Sequence, residues 1–102
     1  MNDTVLKLRR NQFEALYEAF EVLVIEEKPE LPAEKLVHTL LLQVWVKLRK
    51  LDVEYRPKYK LKLTPAEAQA FLIFWSNQDL ATISFTGNMI NGLIAIIHPK
   101  FS

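Results

Sequence analysis

The sequence predicts an α+β domain, with a two-stranded antiparallel ribbon packed on about four helices. Three observations carry this reading. Residues 58–64 (KYKLKLT) alternate charged and apolar side chains without a break, as a half-buried strand requires. Leu6-Lys7-Leu8 repeats Leu61-Lys62-Leu63, and a helical pattern with alanines and aromatics follows in both places. Most other apolar residues fall in longer segments of helical spacing. An all-α helical bundle with extended termini is the alternative.

Taken in order, the strand around Leu6 and Leu8 leads into a helix over about 11–25, with Asn11 and Glu14 as a loose capping box. Its inward stripe is Phe13, Leu16, Tyr17, Phe20, Leu23 and Val24, and Glu14, Glu18 and Glu21 lie outside. Pro29 and Pro32 break the chain and open a second helix, about 32–51. Its apolar positions cover far more than a ~100° stripe, so it is expected to be buried on most sides. The second strand carries Tyr59, Leu61 and Leu63 inward and Lys58, Lys60 and Lys62 outward.

Thr64-Pro65-Ala66-Glu67 then starts a third helix, about 65–77, with Thr as N-cap, Pro at the first helical position and Glu closing a capping box. Asn77-Gln78-Asp79 reads as a turn, and residues 80–85 are ambiguous between helix and extended chain. The last helix runs from Thr86 or Gly87 to Ile97 and is expected to stop before Pro99. Gly87 fits its start, and Gly92 a site of close packing. A two-stranded ribbon is marginal alone, so it must pack on helices through Leu6, Leu8, Tyr59, Leu61 and Leu63.

With 102 residues and 11.9 kDa, the chain is one domain, 1–102, able to bury roughly two-thirds of its unfolded surface. Its 50% apolar content excludes intrinsic disorder. Apolar runs are a few residues long, far short of the ~20 that span a bilayer, so no membrane association is expected. No basic start, apolar segment and small-residue cleavage site occur together at the N-terminus, which points to the cytoplasm. With no Cys there are no disulfides, thiolate nucleophiles or cysteine zinc sites.

The motifs of chemistry are missing too. His38 and His98 are the two histidines; Glu34 stands four residues before His38, but a metal site would need further ligands. The simpler reading of His38 is a half-buried side chain hydrogen-bonded to a neighbour. Ser76, Ser84 and Ser102 lie in no Gly-x-Ser-x-Gly elbow, and two glycines make no phosphate-cradling loop. No enzyme activity and no cofactor are expected. A third, minor reading is a ligand pocket near Tyr17, His38 and Trp75.

Charge is segregated despite a net of +1. Residues 11–34 hold seven Glu against Lys28 alone, and residues 47–62 hold seven basic residues against Asp52 and Glu54. If the strands pair, Lys7, Arg9, Lys58, Lys60 and Lys62 share one face, a row suited to phosphates through counterion release. Lys47, Arg49, Lys50, Tyr55 and Arg56 could extend it. The plainer reading is a wet face that discourages edge-to-edge aggregation. A helix-turn-helix is not expected, because residues 88–97 have almost no polar side chains for base edges.

The apolar excess of the second and last helices suggests self-association, with Leu41, Trp45, Leu48, Ile90, Leu93 and Ile97 carrying a homodimer interface. The leading expectation is therefore a small non-enzymatic interaction protein that self-associates or binds a further, unidentified protein. Its alternative is a nucleic-acid-binding accessory protein that uses the basic ribbon.

Overall fold

Strand β1 (Thr4–Arg9) and strand β2 (Lys58–Leu63) pair antiparallel, with Thr4 opposite Leu63 and Arg9 opposite Lys58. A computed structural model describes residues 3–26, 28–77 and 85–101, with side chains to Ile97. Between the strands lie α1 (Arg10–Ala19), which continues as a π-helical segment Phe20–Ile25, and α2 (Pro32–Leu51). After β2 come α3 (Pro65–Ser76) and α4 (Phe85–Phe101). The α+β ribbon-and-helices architecture is thus the observed one.

Alternation decides which side of the ribbon is buried. Leu6, Leu8, Tyr59, Leu61 and Leu63 are at most 2% exposed and join Phe13, Leu16, Phe20, Phe71 and Trp75 in one core. Phe13 stacks on Tyr59 with ring centroids 4.0 Å apart, which seats α1 against the ribbon. Helix α3 closes the core beside α2 and α4. A radius of gyration of 12.9 Å matches the ~13 Å of a compact chain of this length.

The Thr64–Glu67 capping box forms as expected: Glu67 N–H donates to Thr64 Oγ1 at 3.2 Å and Thr64 N–H to Glu67 Oε1 at 2.9 Å. Elsewhere the local chemistry differs. Helix α1 begins one residue before Asn11, with Arg9 as N-cap and its N–H donated to Gln12 Oε1 at 2.9 Å. Glu14 is instead held by Arg10 at 2.7 Å. The π-helical turns, with i→i+5 bonds, reset the helical phase after Phe20. Val24 is buried there while Leu23 is turned outward.

Three other expectations are corrected. Helix α2 buries one stripe only, Leu41, Val44 and Leu48, and leaves Leu36, Leu42 and Val46 exposed. A Cβ at Gly92 would meet nothing within 4 Å, so this glycine is not a close-packing site. Helix α4 runs past Pro99 to Phe101; a proline so near the end removes one terminal hydrogen bond without a long helix beyond it to break. The turn at Gln78-Asp79 and most of the ambiguous 80–85 stretch lie outside the described residues.

Candidate nucleic-acid interface

The strand register settles where the five ribbon cations stand. Lys7 lies opposite Lys60, Arg9 opposite Lys58, and Val5 opposite Lys62. All six are exposed, because each follows or precedes a buried residue of the same strand. Along one strand, same-face neighbours are ~6.6 Å apart; across the ribbon the strands are ~4.8 Å apart. Two rows of cations, two on β1 and three on β2, therefore share a single outward face. Like charges directly opposite each other weaken a strand pair by roughly 0.2–1 kcal/mol, and the ribbon carries two such pairs.

Among the described residues, one carboxylate pairs with this face: Asp3 Oδ2 lies 3.6 Å from Lys62 Nζ. Lys7, Arg9, Lys58 and Lys60 have no carboxylate within ion-pairing distance there. Cations beside or behind the ribbon are treated differently. Lys47 on α2 donates to Glu67 Oε1 at 2.5 Å and to the Lys62 carbonyl at 2.8 Å, so it caps the edge of β2 and does not extend the outward row. Glu67 is buried, and this ion pair together with the capping box satisfies it.

Arg10 fixes the other end of the ribbon. Its guanidinium donates to Glu14 at 2.7 Å and to the Tyr59 hydroxyl, and stands 4.9 Å from the Tyr55 ring centroid. The hydrogen bond to Glu14, and next the contact with Tyr59, raise its pKa above the ordinary guanidinium value. Tyr59 also accepts from Arg56 N–H at 3.0 Å and donates to the Glu54 carbonyl at 3.3 Å, so the 54–57 loop is tied to the start of β2. Arg56 pairs with Glu54 at 3.1 Å, while Arg49 and Lys50 are exposed at the end of α2. The Arg10–Glu14 spacing of four residues was the signal in the sequence for this arrangement.

The residues expected to carry self-association are placed otherwise. Leu41, Leu48, Ile90 and Ile97 are fully buried, Leu93 is 5% exposed, and Trp45 is half-buried against Tyr17 and Phe20. They fill the core of one chain, so a second copy docking on this conformation would meet other side chains. His38 Nε2 lies 2.8 Å from the Val24 carbonyl and secures the π-helical segment to α2. A shallow groove of about 220 Å³ lies beside it, lined by Glu34, Val37, His38, Ile73, Phe74 and others. Tyr17 and Trp75 do not line it.

Among the described residues, no three of His, Asp or Glu converge as a metal site, and no helix is long and apolar enough to cross a membrane. No protein-family model, curated protein or solved structure matches the chain.

Proposed function

We propose that this protein binds the phosphate backbone of nucleic acid through the outward face of its ribbon, without catalysing a reaction. The observation that carries this reading is the pairing of like with like, Lys7 with Lys60 and Arg9 with Lys58. A surface serving solubility alone is better built with both signs of charge interspersed. Here the ribbon accepts cross-strand repulsion, while Arg10 and Lys47 beside it are given acidic partners. Bound phosphates would relieve that repulsion and release their counterions.

Fluorescence anisotropy of a labelled oligonucleotide, titrated with protein at about 50 and 200 mM salt, tests the proposal. The expected result is affinity that falls steeply with salt and is lost in the Lys60→Glu/Lys62→Glu double variant. Absence of binding at the lower salt, or binding indifferent to salt and to the double variant, contradicts it.

A second reading, self-association, has its own observation: Leu36, Val46, Ile73 and Ile96 are each about half or more exposed. Sedimentation at low micromolar concentration should then return twice the chain mass, unchanged by salt. A mass near 12 kDa excludes this second reading.

A further inference from the structure

We infer that the ribbon lies face-down in the major groove of duplex DNA, an inference that rests on the backbone-binding reading above. Shape comes first. The major groove is ~12 Å wide and ~8.5 Å deep and admits a two-stranded β-ribbon. This sheet has two strands only, with every helix-packing residue on its other face. Nothing in the sheet widens it beyond what the groove accepts.

The charge layout agrees with that placement. One row of cations stands on each strand, so side chains splaying from β1 and β2 reach toward opposite groove walls, each lined by one phosphate chain. A single strand offers one such wall, and it is usually held by aromatic platforms on which bases stack. The outward ribbon face, Val5, Lys7, Arg9, Lys58, Lys60 and Lys62, has no aromatic side chain. Duplex RNA fits less well, because its major groove is too narrow for side chains to enter.

The same face also holds two groups suited to base edges. Arg9 is its one guanidinium, and a guanidinium forks onto the O6 and N7 of guanine. Val5, 43% exposed among the cations, is a poor solubilising residue and a good contact for the thymine methyl group.

Dimethyl sulfate probing of a short mixed-sequence DNA duplex, with and without saturating protein, separates this inference from the reading beneath it. The reagent methylates guanine N7 in the major groove and adenine N3 in the minor groove. Protection of guanine N7 with adenine N3 unprotected, together with weaker binding to the single strands and to duplex RNA, is expected. In Arg9→Lys, which keeps the charge, N7 protection should fall several-fold while the salt dependence stays unchanged. Salt-sensitive binding without N7 protection, or with preference for single strands, overturns the groove placement and leaves backbone binding standing. No salt-sensitive binding to any of these probes overturns both.

Discussion

Lys7 on β1 and Lys60 on β2 face each other across the ribbon, two exposed ammonium groups at one cross-strand position. Each strand keeps its cation there because the opposite face is committed: Leu6 and Leu8 flank Lys7, Tyr59 and Leu61 flank Lys60, and all four are buried. The pair therefore separates what benefits the fold from what benefits a phosphate ligand.

Lys60→Glu should move stability and binding in opposite directions. An opposite-charge pair with Lys7 replaces a repulsive one, which is expected to stabilise the domain by roughly 0.2–1 kcal/mol. Nucleic-acid affinity should fall at the same time. Thermal unfolding beside anisotropy reads both; a variant that is less stable and binds as well as the parent contradicts the account.

Glu67 is shared by the α3 cap and by Lys47, so its removal strands two donors at once. Glu67→Ala should cost about 1.5–3 kcal/mol, because hydrogen bonds to a charged group are lost and the site is buried. Thr64→Ala, which removes only the cap hydroxyl, should cost about 1 kcal/mol. Urea midpoints of the two variants check the order.

Gly92 gives the reverse case. It lies inside α4 with open space where a Cβ would stand. Gly92→Ala should stabilise the domain by about 0.5–1 kcal/mol, raising Tm by roughly 2–8 °C. A loss of stability would mean that something packs on this face of α4.

Arg10 is the ribbon-end side chain whose charge alone does not account for its role. It forks between Glu14 and Tyr59 and lies over Tyr55. Arg10→Lys should therefore restore little of the Tm lost in Arg10→Ala, because an ammonium cannot reproduce the planar contacts. Full rescue by Lys would reduce the role of Arg10 to its charge.

Strict alternation made β2 and its lysine face readable directly from the sequence, and the Thr64-Pro65-Ala66-Glu67 signal marked the start of α3. Helix α2 matched its expected 32–51 span for a similar reason, with Pro32 opening it. What periodicity could not show is which apolar residues of a crowded helix face inward. Leu41 and Leu42 are adjacent and equal in composition, yet only Leu41 is buried, because packing against α3 chooses the stripe. The π-helical turn at Phe20–Ile25 was equally hidden, since an α-helical period places Leu23 inside. For the site, the five cations were legible as a face, whereas the withdrawal of Lys47 into a pair with Glu67 depends on residues twenty apart.

The most direct measurement is the slope of log affinity against log salt for duplex DNA, taken for the parent and for single lysine-to-glutamine variants. Five phosphate contacts give a slope near roughly −4.5, and each lost contact should flatten it by about 0.9. Lys60→Gln should show the full change. Lys62→Gln should show less, because Asp3 already stands 3.6 Å from that ammonium. Slopes that shift by the same small amount when exposed lysines away from the ribbon are neutralised would contradict a binding face on the ribbon.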